Sequence, residues 1–553
     1  MKKIFAFALF ICSISTNAQT PTWAWARMAG SETADEANGI ACDNWGNTYV
    51  TGSFSWDSML VANDTLYNQS IYGTDFYVFK YDSTGNLIWA KSWGSDDYEQ
   101  AYDITTDSSG NVYIIGQFSS PFLVLGLDTL FNPGTSQMFL MKCNSAGNPM
   151  WATSSMGNSG SSGASVKMAK NGNVVISGTF GAPTDILGID TLFSNGAVDF
   201  FLAELDSSGD YIWAKSYGSY ANEMPNDLSV DMNGNICLAG YYGSDTLIIG
   251  TDTLINSDPS SYDILVAKFD SSGNPLWARG AGGIAQDAAN GIATDNQGKI
   301  AVAGKFANTI TFDTISLSGI YDMYVVVYDS SGNAIWADAQ GSAAGSDGGN
   351  TVRFEPNGDL ILGGYFSDQM IFGSITISSQ WSSYYTDCFV AKYSNSGTAL
   401  WGIKASCPDY DAVGVIDINQ FGQIMVAGGG HIGMQFGTIG VPGFFSDDIF
   451  VARLDTPILT GFFNTDLFSK GSEIILYPNP VNNFIQLGYN TDKNGGLVCS
   501  LLNLLGEKML EQNFTAHTGA NHFSIPISQL PKGIYFLKME NGNETTTRMV
   551  VVE

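Results

Sequence analysis

Histidine is nearly absent. The 553 residues hold three, His431 in "GGGHIG" and His517 and His522 near the C-terminus, a distribution that supplies no local metal-ligand set. Basic side chains are also scarce: Lys+Arg 23 against Asp+Glu 53 leaves a net charge of −30, a field that repels nucleic acid and anionic lipid. Nucleic acid is therefore excluded as a partner, whereas cations and neutral ligands remain. Beyond the first residues no stretch approaches eighteen consecutive apolar residues, so no transmembrane segment is expected. There is no G-x-S-x-G, no H-E-x-x-H and no glycine loop that would cradle a phosphate, so no catalytic residue and no cofactor-binding residue is assigned. Cysteines are few, and none forms a C-x-x-C. Without Cys12 the remaining six are Cys42, Cys143, Cys237, Cys388, Cys407 and Cys499, which read as buried free thiols, with Cys388 and Cys407 the one pair to test for a bridge.

What the chain has in abundance is glycine, 63 residues, and 13% aromatics, the composition of many short strands joined by tight turns. It is too long for one ordinary core. Residues 1–19 read as a signal peptide. Lys2 and Lys3 precede the apolar run from Ile4 to Ile14, and Thr16-Asn17-Ala18 places cleavage near Ala18 or Gln19. Ile11 stands before Cys12 where a lipoprotein signal needs a small residue, which argues against lipidation.

The rest repeats. Trp25, Trp89, Trp151, Trp213, Trp277, Trp336 and Trp401 each open a phrase such as "WAKSWGS", at spacings of 64, 62, 62, 64, 59 and 65. A second phrase, "NWGNTYVTGSF", recurs with its leading glycine at 46, 110, 172, 234, 298, 358 and 422, and a third, "DFYVFKYDSTGN", also occurs seven times. Each unit thus carries four short apolar runs, of which Phe76 to Tyr81 is apolar on both faces, as a strand between two other sheets must be. Asp-x-x-Gly-Asn brings a side-chain acceptor for turn amides and a glycine for the left-handed position, which is hairpin chemistry. A sixty-residue unit of four antiparallel strands is a propeller blade. The seventh unit stops at Thr456-Pro457 without a Trp strand, and the chain opens on an orphan one at Trp25. Residues 22–456 are therefore expected to form a seven-bladed β-propeller in which 22–31 completes the last blade.

These phrases resemble the SBBP family of bacterial β-propeller repeats, in register over residues 22–456. The resemblance implies a fold and no activity. The "D-x-x-G-x-x-x-W" string is also similar to the Trp-docking repeats of quinoprotein propellers, whose cofactor-binding residues find no match here.

Strand parity puts both tight turns of a unit on one face and the long second-to-third insertions, with the links from each Trp strand to the next unit, on the other, where binding is expected. Eleven residues before each Gly-Asn-turn glycine stand Asp35, Glu99, Ser161, Glu223, Asp287, Asp347 and Asp411, six carboxylates in seven links. They either form a cation ring at the channel mouth, for which calcium is the natural ion, or cap backbone amides in their own links; repetition favours the cap. Lys80, Lys142, Lys268, Lys392 and Arg453 form a second regular position, interrupted by Glu204 and Val327, whose stems are expected to pack between blades. Asp64, Asp128, Asp190 and Asp252 in "D-T-L" read as turn residues rather than metal ligands.

After a linker at 457–473 the composition changes. Residues 474–553 alternate short apolar runs with Asn, Gly and Pro, a small β-sandwich. Tyr477-Pro478-Asn479-Pro480, "LLNLLGEKM", Gly533-Ile534-Tyr535 and the closing "RMVVVE" resemble the type A sorting domain of the type IX secretion system of Bacteroidetes, with Arg548 where lysine is usual. That resemblance implies passage across the outer membrane, recognition by the type IX machinery, removal of the domain, and release or attachment at the cell surface. The sequence thus points to a secreted or cell-surface binding module, more readily a non-enzyme, with a glycan or protein ligand. The alternative is a secreted hydrolase acting on polysaccharide through carboxylates on the loop-rich face.

Overall fold

A computed structural model of the chain describes residues 20–455 and 474–552, apart from 71, 182, 343–344, 380–384, 432, 444–446, 478–480, 482–483, 492, 504–505, 528–529, 532 and 543. The expected signal peptide at 1–19, the linker, and Pro478, Asn479 and Pro480 of the sorting motif lie outside the described residues. Two compact units emerge, Met1–Ile458 and Leu459–Glu553. No described residue is helical, and no helix is long and apolar enough to cross a membrane.

Unit one is a β-propeller. Its described residues contain seven four-stranded antiparallel sheets, numbered here 1 (36–93), 2 (99–154), 3 (161–217), 4 (223–281), 5 (288–340), 6 (348–406) and 7 (412–455). The first strand of each sheet lies beside the first strand of the next, and Ala412–Ile418 of sheet 7 lies beside Glu36–Cys42 of sheet 1, so the cycle is closed. Sheet 7 has only three strands of its own. Thr22–Gly30 supplies the fourth, antiparallel to Asp448–Asp455 from Thr22↔Asp455 to Ala29↔Ile449.

Burial follows from that stacking. There is no central core; seven apolar slabs lie between consecutive sheets. Alternation along a strand divides its side chains between two slabs. In Thr74–Tyr81, Tyr77 and Phe79 pack toward sheet 7 while Phe76 and Val78 pack toward sheet 2. The outer-strand tryptophans Trp25, Trp89, Trp151, Trp213, Trp277 and Trp336 then each top a turn glycine of the following sheet. Trp25, Trp89, Trp151 and Trp277 donate their indole N–H to the carbonyls of Ser83, Ser145, Ser207 and Ser330 at 3.1–3.2 Å. The rings lie so close to Gly85, Gly147, Gly209 and Gly332 that a Cβ at any of them would overlap the indole, and all four glycines have φ between 73 and 92°. Two independent constraints therefore demand glycine in that turn.

The second-to-third insertions, expected as loops, are mostly short hairpins held against outer strands. Ser58–Val61 pairs with Thr22–Gly30, and Met434–Phe436 pairs with Ala399–Ser406. In sheet 5 the hairpin is continuous with the long strands Ile300–Phe312 and Ile315–Tyr328. The D-T-L aspartates tie these hairpins down: Asp128, Asp190 and Asp252 accept the amides of Ala152, Ala214 and Ala278 at 2.8–2.9 Å.

Unit two has sheets of three and four strands over a shared core that includes Leu487, Leu501, Tyr535, Leu537 and Val550. Tyr477 pairs with Gln486 in the first sheet, Gly533 opens the strand Gly533–Asn541, and the buried Tyr535 donates its hydroxyl to Pro531 O at 2.8 Å.

Candidate functional site at the mouth of the channel

The six link carboxylates are all buried. One oxygen of each takes an amide four or five residues back in its own link: Asp35 from Ser31 at 2.6 Å, Glu99 from Ser95 at 2.8 Å, Glu223 from Ser219, Asp287 from Gly283 and Asp347 from Ser342 at 2.7 Å, and Asp411 from Cys407 at 2.5 Å. In five of them the other oxygen accepts an amide 20 or 21 residues on, in or just after the second strand of the same sheet, as in Ala307 to Asp287 at 2.9 Å and Ser367 to Asp347 at 2.8 Å. They sit within the sheet junctions, and none lines the cavity at the channel mouth. Among the described residues no three of His, Cys, Asp and Glu gather to hold a metal ion.

Each link carboxylate has a neighbour that the sequence reading missed, an aspartate of the third strand of the preceding sheet. The pairs are Asp35 with Asp448, Glu99 with Asp75, Glu223 with Asp199, Asp287 with Asp263, Asp347 with Asp322 and Asp411 with Asp387. Backbone contacts set them side by side. The amides of Asp35, Asp287, Asp347 and Asp411 donate to the carbonyls of Asp447, Tyr262, Tyr321 and Thr386 at 2.8–2.9 Å, and parallel bridges join Thr74 to Tyr98 and Val198 to Asn222. Burial, reinforced by the facing acid, pushes Asp35 up to about 8, Asp75 and Asp411 to about 7, and Asp199, Asp287 and Asp347 to about 6. One carboxyl oxygen on each of Asp75, Asp199 and Asp263 is buried and accepts no hydrogen bond, so a retained proton would turn it into a donor.

The junction of sheets 2 and 3 departs from this rule at both positions. Ser161 replaces the link acid and Gln137 the strand acid. Ser155 Oγ donates to Gln137 Oε1 at 2.9 Å and lies 2.6 Å from Ser161 Oγ, while Gln137 Nε2 donates to Gly157 O at 2.9 Å. The carboxylate of this junction comes instead from Asp185 of the sheet 3 hairpin, which is buried against Gly157 with Ser161 beside it and is raised by that burial.

Along the axis, first strands of all seven sheets surround a cavity of about 210 Å³. Its charges are paired. Lys167 bonds Asp103 and lies 3.4 Å from Asp227, which in turn is 3.8 Å from Arg353. Burial pulls the Lys167 ammonium down, but the two aspartates outweigh it and hold it above its usual value. Asp417 accepts the Cys42 amide at 2.7 Å, and burial raises its carboxyl despite Arg353 nearby.

Above that plug, three residues after each link acid, a bulge in every first strand turns one side chain to the mouth. Four are asparagines that staple neighbouring strands: Asn38 donates to Ala101 O, Asn226 to Ala289 O, Asn290 to Gly349 O and Asn350 to Val413 O, at 2.8–3.1 Å. In sheets 2, 3 and 7 the position is Tyr102, Ala164 and Gly414. Where Tyr102 and Ala164 interrupt the staples a cavity of about 860 Å³ opens, flanked by Asn38 and Asn226 and reaching Gln117, Thr179 and Tyr241. None of the described residues that line it is charged. The recurring "ANGIA" at 37–41 and 289–293 was the sequence signal for the staples; nothing local marked where they fail.

The basic band is spent within the scaffold. Lys268 lies 3.0 Å from Asp231 and Lys392 2.5 Å from Glu355, both turn acids of their own sheets. In sheet 3 the polarity is exchanged: Glu204 accepts Asn171, Asn173 and Trp213 beside a turn that has Ala169 where sheets 1, 2, 4 and 5 have Asp43, Asp107, Asp231 and Asp295. All six described cysteines are free thiols; Cys388 and Cys407 share a core slab, and Cys407 donates to Asp411 at 2.7 Å.

The fold and the C-terminal unit define a β-propeller that carries an export domain. Residues 475–553 match the family described as "Secretion system C-terminal sorting domain". This is the sorting domain of the type IX system, so the protein interacts with that machinery and is secreted or attached at the outer surface. Among known proteins the chain is similar to the uncharacterized WD repeat-containing protein L264 of Acanthamoeba polyphaga mimivirus, 25% identical over 479 residues, 69% of this chain and 34% of that one. It is also similar to the regulatory protein FlaEY of Caulobacter vibrioides, 27% identical over 181 residues, 32% of this chain and 18% of that one. The chain thus spans about a third or less of the length of these relatives. A puromycin hydrolase crystal structure is similar at 10% identity and a TM-score of 0.40, with 83% of this chain and 59% of that chain covered.

Proposed function

We propose that this is an exported binding protein, an SBBP-type propeller delivered by the type IX system, which engages a glycan or protein ligand at the channel mouth on the face opposite the tight turns. The observation that supports it is the uncharged cavity of about 860 Å³ in a chain of net charge −30. Its lining offers no carboxylate pair, which leaves the hydrolase alternative without an acid and a nucleophile at this place.

Two results test the reading. In a host with a type IX system, the full chain should appear outside the cell and a chain ending at residue 474 should stay inside; release of the truncated chain would overturn the export half. On an array of glycans and envelope proteins, Thr179→Arg at the mouth should abolish saturable binding, whereas Ser208→Arg on the tight-turn face should leave it intact. The reverse pattern would move the site to the other face.

A further inference from the structure

The repeats make each of the seven sectors a template for the others, and three departures from the template fall in one place. Across sheets 2 to 4 the staple is lost at Tyr102 and Ala164, the link acid becomes Ser161, and its neighbour becomes Gln137. The first loss opens the cavity; the other two put neutral side chains at both positions of the junction pair, the carboxylate of Asp185 being buried behind Ser161 and outside the lining. The other junctions are filled with paired acids and the other first strands mostly with asparagine, so Ser161 and Ala164, both in the cavity lining, are peculiar to this sector.

From this we infer that the cavity bounded by Asn38, Tyr102, Ala164, Asn226 and Tyr241 is a binding site for a neutral, hydroxyl-rich saccharide. The inference rests on the mouth-binding reading above and names the ligand class for that site. An anionic ligand would meet the field of the acid-rich propeller without a basic residue in the lining to offset it, and a cation would find no carboxylate in the described lining, Glu36 standing behind Asn38, from whose Nδ2 it accepts at 3.4 Å. A neutral polyol meets neither penalty. The Nδ2 groups of Asn38 and Asn226 are engaged in stapling at 3.1 and 2.8 Å, which fixes each amide plane and leaves Oδ1 as an acceptor for sugar hydroxyls. Gln117 is held likewise, its Nε2 donating to Gln100 Oε1 at 3.0 Å. Tyr102 is braced by its hydroxyl bond to the same Gln100 oxygen at 2.7 Å, and Tyr241 by an edge contact with Tyr262 at 5.0 Å between centroids. Two half-buried rings held by second partners offer rigid apolar faces to the C–H side of a pyranose at little entropic cost.

The experiment uses the secreted full chain against neutral oligosaccharides (cello-, xylo-, malto- and mannooligomers) and oligogalacturonate and alginate oligomers, by calorimetry and on an array that also carries envelope proteins. At least one neutral series should bind and the uronates should not. Ala164→Glu, which places a negative charge in the lining and fills the gap, and Tyr102→Ala, on a different strand, should each weaken that binding about tenfold or more, the loss of one good contact, with the melting temperature kept as the check on folding. Uronate binding in preference to neutral sugars, or neutral binding indifferent to both variants, overturns the assignment. Capture of a protein that both variants abolish, with no sugar bound, overturns the saccharide class but leaves the mouth as the binding face. Binding of any probe that responds only to Ser208→Arg overturns both.

Discussion

Between pH 5 and pH 8.5 the melting temperature of the propeller is expected to fall, by about 5 °C or more. The cause is the set of buried acids at six of the seven junctions. Desolvation, and the second acid beside each, raises Asp35 to about 8, Asp75 and Asp411 to about 7, and Asp199, Asp287 and Asp347 to about 6. In the unfolded chain the same groups titrate near 4. The folded protein therefore holds protons that the unfolded one has released. The stability tied to them is fully present below the unfolded value and is lost as pH rises through the folded values, from about pH 4 to about pH 8. A tenfold difference in proton affinity at one group is worth about 1.4 kcal/mol, and several groups titrate in the same window, so even a fraction of the total moves the melting point by several degrees. General repulsion in a chain of net charge −30 has the same sign. Asp75→Asn separates the two: it takes one titrating junction acid away at a cost of one charge, and it should flatten the slope more than Asp210→Asn, on an exposed turn, does. A melting temperature that climbs from pH 5 to pH 8.5 would rule the mechanism out.

Removal of Thr22–Gly30 is expected to have the largest effect of any change in the chain. It strips Asp448–Asp455 of its outer partner and leaves sheet 7 with three strands where each of the other sheets has four, exposing the edge of a buried strand. It also takes Trp25, Ala26 and Met28 out of the two slabs on either side of sheet 7. The truncated chain should elute as aggregate or lack a cooperative melt, and a synthetic peptide of residues 22–30 should restore the transition by strand addition. The point variant Trp25→Ala should cost about 3–5 kcal/mol, the range for a buried tryptophan, since the ring is only 6% exposed and its N–H bonds Ser83 O at 3.2 Å. Tyr67→Ala, 71% exposed on the rim hairpin, should cost well under 1 kcal/mol. Equal loss from the two would mean that the seam contributes no more than any surface strand.

These two predictions rest on parts of the molecule of unequal legibility. The seam could be read from residues alone: a Trp phrase without a unit before it and a unit without a Trp phrase after it match each other. The tight turns were equally plain, because Asp82 and its equivalents act within four residues, the Asp82 carboxylate taking the Thr84 and Asn86 amides at 2.8 and 2.9 Å. The partner of Glu99 was hidden, since Asp75 stands twenty-four residues away on another sheet, in a phrase whose repetition explained it as a strand start. The insertions were misjudged as loops for a related reason. Their pairing partners are outer strands, in some cases of the neighbouring sheet, so the short alternation in "SMLV" and "DTLY" has no local companion beyond its own hairpin.

What the amino-acid order determined by itself is what is local or repeated: strands, turns, the closing strand at Trp25, the sorting domain and the excess of negative charge. Short-range rules suffice there because each contact is copied in every unit and failure would be copied too. Only the closed ring decided which unlike positions meet at the axis, where departures at 102, 137, 161 and 164 fall around one space. A site assembled from single exceptions in successive repeats has no period, and it exists only once circular stacking brings those exceptions within reach of one ligand.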